Sequence, residues 1–440
     1  MQQDAEQVAA RLQRLVDHAQ SRGAAAAEIL SVAWTARSVE TQDGHRAVEE
    51  QHDGASARGR VYLDGGRAVA FSARSMDELA SAIDAAVERA KGVPEDPAAG
   101  PAERFPIHPS GIGLYDRRYA MLEPDDRAAV AKSLYAGASA DAVLCTGADY
   151  SDVLTHRVFV NSRGLTAKGS ETRYDVRVHG RLLDGSLETS FHAAGRAFAN
   201  VGALPYGTDL ARRLTALTQD PVGPPGTSEL AVVLEPWVLA TLVARLGPAF
   251  TADRMESGKT FVAHLDGQAI GGRRFHLVDD ATMHGSLLSR RFDDRGVAPM
   301  PVPLVREGQL GGLLHDPETA RRADARPTGH SMNGNLEHSN LVLRKGNRSR
   351  TQMLGEVPVA MQFDRLEGTL DVETGAFDLG GPAYILEAGK RRGSVRQARL
   401  QGQICDLLRG VKEIASNQQR HLNVDCATGV FTGFPVSFPS

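Results

Sequence analysis

Residues Glu229–Leu246, ELAVVLEPWVLATLVARL, decide how the chain divides. Glu229–Leu234 reads as a strand and Pro236–Leu246 as the helix that follows, with proline at an early helical position where its missing N–H does no harm. Immediately before it, Asp220-Pro-Val-Gly-Pro-Pro-Gly226 can sustain neither helix nor strand, which makes it the clearest domain boundary. Beyond the pair, the chain is mostly strand. Hairpins are expected at Pro303–Leu314 around Arg306-Glu307-Gly308, at Leu366–Phe377 around Glu373-Thr374-Gly375, and at Tyr384–Val395 around Ala388-Gly389-Lys390. A late helix is expected over Ile404–Ile414, with Ile404, Leu407, Leu408, Val411 and Ile414 on one face.

Upstream of the boundary, two blocks each place helix before strands. The first has a helix from Asp4 to a C-cap at Gly23, then β-prone runs from Ala27 to Phe71 with a turn at Asp64-Gly65-Gly66. Ser75 and Glu78 read as a capping box opening a helix that carries Leu79, Ile83, Val87 and Ala90 on one face. Residues 93–113 hold Pro94, Pro97, Pro101, Pro106 and Pro109 and read as a linker. The second block has a helix from Asp125 to Ala138, strands around Val153–Val160 and Tyr174–Leu183, and a helix near Thr208–Thr218. The expected domains are therefore 1–113, 114–226 and 227–440, in an α+β protein whose N-terminal α/β portion combines antiparallel strands with helices.

At 440 residues the chain exceeds what one hydrophobic core usually supports, and 42% hydrophobic residues with 24% charged exclude global disorder. Fifty Lys+Arg against 54 Asp+Glu give a net charge of -4, so no basic excess exists to neutralise nucleic acid or an anionic membrane. The acidic N-terminus lacks the basic residues and apolar core of a signal peptide, and no stretch approaches the length of a membrane span. Cys145, Cys405 and Cys426 lie far apart without a CxxC pair, which fits a reducing cytoplasm. A cytoplasmic protein with no nucleic-acid or membrane partner is expected.

Nucleotide loops of the GxxxxGK[ST] or GxGxxG type are absent. Gly329–Gly334 superficially resembles a nucleophile elbow, but the residue two places after Ser331 is Asn333 where that motif needs glycine, so a polar turn is expected. His330, Glu337 and His338 form the densest set of ligand-type residues, and His421 with Cys426 forms another; neither has zinc-site spacing. Asp279-Asp280 and Asp293-Asp294 have the chemistry of acid–base or hard-metal groups and the placement of turn residues, and the turn role is favoured. Arg290-Arg291 and Lys390-Arg391-Arg392 are read as solvated hairpin ends. Cys405 is assigned to the core, whereas Cys426 sits in a polar segment.

Whole segments then resemble one family. Phe292-Asp-Asp-Arg-Gly296 followed by Val305-Arg-Glu-Gly308 is similar to the FD.EG and I..G segments of the TldD/PmbA family of metallopeptidase-related proteins. Pro327-Thr-Gly-His330 through Asn340–Gly346, Leu366-Glu-Gly368 with Thr374-Gly375, the Gly381–Gly389 hairpin and the Gly402–Leu407 helix start follow in family order. The N-terminal match is looser. In the TldD branch an HExxxH helix supplies two histidines and a glutamate base to zinc, and a C-terminal cysteine completes the site. Here the corresponding stretch is Leu234–Ala240, with Glu235 and Ala240 at the histidine positions and Pro236 at the base. Only Cys426, in Asp425-Cys426-Ala-Thr-Gly429, remains, so the resemblance is to the PmbA (TldE) branch.

The resemblance implies a mainly β, barrel-like C-terminal domain and a chain with no catalytic residue and no metal of its own. It implies pairing, as a heterodimer or higher hetero-oligomer, with a TldD-like subunit that holds zinc. Such pairs cleave unfolded peptides or leader segments of ribosomal peptide precursors, and an extended peptide can bind by adding a strand to a sheet edge. The alternatives are an independent enzyme with a rebuilt site drawn from His330, His338 and Cys426, acting in natural-product biosynthesis, and a stand-alone peptide-binding protein.

Overall fold

The computed structural model describes residues 2–42, 46–103, 112–202, 204–223 and 230–438. Pro106 and Pro109 of the proline-rich stretch, residues 224–226 of the boundary run and Glu229 lie outside the described residues.

The N-terminal half is two copies of one plan. The first runs α1 (Gln2–Ser21), β1 (Ala26–Gln42), β2 (Arg46–Leu63), β3 (Arg67–Ala73) and α2 (Leu79–Ala90). The second runs α3 (Pro124–Ala138), β4 (Val143–Asn161), β5 (Thr166–Leu182), β6 (Glu188–Gly195) and α4 (Tyr206–Thr218). Their strands form a single antiparallel sheet in the order β3-β2-β1-β4-β5-β6, so the sheet runs through the expected boundary at residue 113. The period-two alternation of strands divides labour between its faces. Ile29 and Val61 face Leu12 and Val16 of α1 and Ile83 of α2, and Tyr150 and Tyr174 pack with α3 and α4. On the opposite face Leu30, Phe159 and Ala167 meet Phe292 of the C-terminal half.

Two local expectations change. Helix α2 begins at Leu79 with Glu78 as N-cap and no side-chain cap, because the Glu78 carboxylate accepts from the Arg74 N–H; Ser75 does not cap it. The late helix ends at Arg409, and Val411–Ile414 is a strand. Gly410 makes the break: a Cβ there would stand 2.2 Å from the Thr432 carbonyl oxygen, so only glycine lets these segments approach.

The C-terminal half opens with β7 (Ala231–Leu234), flanked by β14 (Val359–Phe363) in parallel and β21 (Gly429–Phe431) antiparallel. A strand buried on both faces explains its unbroken aliphatic run. Helix α5 (Pro236–Leu246) follows after a single residue and buries Val238, Leu239, Leu242, Val243 and Leu246. The first sheet is β15-β16-β14-β7-β21-β18, with β15 (Glu367–Leu370), β16 (Ala376–Glu387) and β18 (Val411–Ile414), and a long β17 (Lys390–Gln403) pairs with β16. The second is β10-β9-β8-β13-β20-β19, formed by β8 (Leu277–Asp279), β9 (Val302–Arg306), β10 (Gln309–Leu310), β13 (Leu341–Leu343), β19 (Gln419–His421) and β20 (Val424–Cys426). Both sheets and α5 feed one core, which gives the mainly β, barrel-like half its unity. A small hairpin, β11 (Ser331–Met332) and β12 (Asn335–Leu336), turns through Asn333 and Gly334 at positive φ, as the polar-turn reading of Gly329–Gly334 expects.

The halves are joined by buried charge. Arg295 of the Phe292–Gly296 segment pairs with Glu28 of β1 and with both oxygens of Glu318 at 2.6 and 2.8 Å, and donates to the Tyr62 hydroxyl at 2.7 Å. Asp294 pairs with Arg58 and Arg157 and accepts the Asn333 N–H at 2.7 Å. Asp293 accepts three backbone N–H groups, from Arg295, Val297 and Ser331. The proline-rich stretch is strapped down as well, since Arg321 donates to the carbonyls of Ala98, Gly100 and Pro101.

Candidate functional site

The head of α5 is where the resemblance locates catalytic chemistry, and its side chains are otherwise engaged. Glu235 is the N-cap residue of α5 and is 3% exposed. Its carboxylate accepts from Arg350 Nε at 2.8 Å and from Thr428 Oγ1 at 2.8 Å. Asn417 Nδ2 in turn donates to Thr428 Oγ1 at 3.0 Å. The charge is therefore compensated inside the protein.

Pro236 offers no carboxylate, but its carbonyl oxygen accepts from the Cys426 thiol at 3.0 Å. Burial pushes that thiol up to about 12, with Asp425 adding to the effect, so it is a neutral donor at physiological pH. A thiolate, not a thiol, is the metal ligand and nucleophile. Ala240 is buried in the same core and has no donor atom to offer. Among the described residues no three His, Cys, Asp or Glu side chains converge in a way that could hold a metal ion. Zinc takes imidazole, thiolate or free carboxylate ligands, and the set Glu235, Pro236, Ala240 and Cys426 does not fit it.

The histidines proposed for a rebuilt site lie elsewhere. His330 is fully buried; its Nε2 faces Asp279 Oδ1 at 2.8 Å and its Nδ1 faces Thr328 Oγ1 at 3.0 Å. Ser339 donates to the same Asp279 carboxylate through its backbone N–H at 2.7 Å and through its hydroxyl. Burial opposes ionisation of Asp279, but His330 and Ser339 outweigh it and hold the carboxyl below its ordinary value. His338 packs on Gly247, where a Cβ would lie 2.4 Å from its ring, and burial lowers its basicity. Gly247 closes α5 and Pro236 opens it, so His338 and Cys426 sit about 16 Å apart along the helix at 1.5 Å per residue. His330, His338 and Cys426 are not brought together as a joint site.

His421, by contrast, stands beside the head of α5. Its ring meets Trp237 edge-on at 6.4 Å between centroids, and among the described residues its buried Nε2 finds no hydrogen-bond partner. Burial pushes it down to about 4, and the nearby Arg213 acts in the same direction. Trp237 Nε1 donates to the Asp364 carbonyl at 2.9 Å, and the Asp364 carboxylate accepts from Arg213 at 2.9 Å. An imidazole this weakly basic is a poor proton acceptor at neutral pH.

Sequence reasoning missed several of these groups. Arg290, read as solvated, is 6% exposed and sits among Asp279, Asp293 and Glu171, which partly offset the burial that lowers its basicity. Asp279 is not a turn acceptor but the partner of His330, whereas Asp280 is one, accepting from the Thr282 N–H and hydroxyl. Lys390–Arg392 is an exposed hairpin end as expected, with Arg392 paired to Glu387. Thr428 lay in plain view two residues after Cys426, but no local signal links Arg350 to Glu235 across 115 positions.

Residues 227–437 match the family described as PmbA/TldA metallopeptidase C-terminal domain. The chain is 24% identical over 412 residues to the metalloprotease PmbA of Escherichia coli O157:H7, covering 91% of this chain and 90% of that protein. It is 21% identical over 359 residues to a metalloprotease PmbA homologue of Haemophilus influenzae, covering 80% of this chain and 78% of the other. The crystal structure of TldE from Thermococcus kodakarensis superimposes with a TM-score of 0.85 at 19% identity, covering 97% of this chain and all of that one. The fold is thus that of the metallopeptidase-related TldD/PmbA proteins. The chain belongs to the TldD/PmbA family.

Proposed function

We propose that this chain is the non-catalytic, PmbA/TldE-like subunit of a heteromeric zinc peptidase, whose TldD-like partner carries HExxxH and the metal. The observation that carries the reading is the head of α5, where the Glu235 charge is consumed by Arg350 and Thr428 and the Cys426 thiol is spent on a main-chain carbonyl. A framework kept without its reactive groups contributes through its surface, by completing an assembly and a substrate channel. Unfolded peptides or leader segments of ribosomal peptide precursors are the substrates in this reading. Three buried, unpaired cysteines suit a reducing compartment, and the cytoplasm is the proposed location.

The test is co-expression with an HExxxH-bearing homologue from the same genome. The two chains should co-elute on gel filtration, since a stable interface buries about 1,200–2,000 Å² or more, and peptidase activity should appear only in the mixture. Cys426→Ser should leave that activity nearly unchanged. Separate elution, with full activity in the partner alone, would remove the subunit reading in favour of a free peptide-binding protein.

A further inference from the structure

The outer face of the β10-β9-β8-β13-β20-β19 sheet carries a groove of about 1130 Å³ that the subunit reading does not use. Its floor follows from strand register. Val278 stands opposite Pro303 on one side and Val342 on the other, while the alternating Leu277, Leu341 and Leu343 turn into the core. Three half-buried apolar side chains thus form a stripe across three strands.

The walls of the groove are basic. Arg306, Arg344 and Lys345 are exposed and line it, and among the described residues none has a carboxylate partner. Arg273 adds a fourth cation, 3.7 Å from Glu307. The nearby Glu413 is already taken by Arg348 at 3.1 Å and Arg274 at 3.8 Å. In a chain of net charge -4, three uncompensated cations around one apolar stripe are a local concentration of the opposite sign.

We infer that this groove docks an extended, acidic polypeptide segment. The lining reaches from Gln309 at one sheet edge to Gln418 beside the other. Five strand spacings of about 4.8 Å make roughly 24 Å, the length of about seven extended residues. Side chains of one face of such a segment would rest on Val278, Pro303 and Val342, and its carboxylates would meet the cations at the rim. Nucleic acid is the poorer match, because neutralising a phosphate backbone needs basic surface well beyond one groove and the remainder of the chain is acidic on balance. A membrane is also disfavoured, since among the described residues no Trp, Tyr or Phe lines the groove to anchor at a headgroup layer. The groove belongs to this chain alone, so the inference is separable from the pairing with a second subunit.

The experiment titrates the full chain into a fluorescein-labelled heptapeptide alternating Glu with Val and follows anisotropy. Wild-type protein should bind it, raising salt from about 50 to about 300 mM should weaken binding, and a peptide with Lys for Glu should not bind. The combined variant Arg306→Glu, Arg344→Glu, Lys345→Glu should lose at least about tenfold in affinity. Its circular dichroism is checked first; should the triple variant misfold, Lys345→Glu alone should lose about threefold. Equal affinity of wild type and variant, equal affinity for a peptide with Gln for Glu, or tighter variant-sensitive binding of duplex DNA or phosphatidylserine vesicles would each overturn the inference.

Discussion

At the head of α5 the Glu235 carboxylate is met by Arg350 and Thr428 and the Cys426 thiol by a carbonyl, whereas Arg306, Arg344 and Lys345 stand around the outer groove and form no ion pair among the described residues. The first region lies where the resemblance locates an active site, and the second is built from the Val305–Gly308 and Asn340–Gly346 segments. Buried polar groups whose partners are all internal stabilise one structure and leave little to offer a ligand. Exposed charges without partners contribute little to folding, so their concentration at one place speaks for recognition. Internally compensated charge therefore marks scaffold in this chain, and uncompensated charge marks a contact surface.

Substitutions should separate the two kinds of region. The extreme case of internal compensation is Arg295, whose removal leaves Glu28 with the Tyr62 hydroxyl and Glu318 with Arg60 at 3.5 Å in the interface between the halves. Arg295→Ala should destabilise the protein by about 3–5 kcal/mol, read as a shift in urea unfolding. A cost below 1 kcal/mol would mean that water reaches this junction. Arg350→Ala leaves Glu235 with Thr428 only; because the arginine side chain is 36% exposed, a smaller loss of about 2 kcal/mol is expected.

Acid should reveal the next effect. His421 has its pKa depressed from 6.5 to about 4 by burial, so between these values the unfolded chain takes up a proton that the native chain refuses. Its contribution is complete above pH 6.5 and is lost as the pH falls toward 4. The loss should be on the order of 2 kcal/mol for a half-buried ring, and His421→Phe should flatten the stability profile over that window. An unchanged profile would show that His421 is solvated. The smallest effect belongs to the groove: Arg306→Glu, Arg344→Glu and Lys345→Glu together should move stability by no more than about 0.5 kcal/mol. A larger loss would recast those cations as structural.

What could be read in the sequence follows from the range of the interactions involved. Helices α1, α3 and α5 and the hairpin turns were legible because periodicity and turn chemistry are local. Ser75 misled because a capping pattern is only a local option, and Glu78 instead caps with its main chain while its side chain takes the Arg74 N–H. Ile404–Ile414 misled because a helical stripe and a following short strand share apolar residues, and the close approach of Gly410 to Thr432 is invisible in one dimension. The single sheet joining residues 26–195 was hidden by the prolines between its halves. At the site, the expectation that Glu235, Pro236 and Ala240 stand where the TldD branch carries HExxxH came from a resemblance alone. The Arg350 and Thr428 partners that neutralise Glu235 come from 115 and 193 residues away, and no periodicity reports contacts at that separation.

The most direct test of the subunit reading is the zinc content of the tag-free chain, purified without its partner and measured by elemental analysis after dialysis against zinc-containing and then metal-free buffer. We expect well under about 0.1 zinc per chain, because the buried Cys426 thiol, whose pKa lies near 12, and a carboxylate held by Arg350 leave no ligand set. About one zinc per chain, lost on Cys426→Ala while circular dichroism is unchanged, would contradict it and restore a metal centre to this chain.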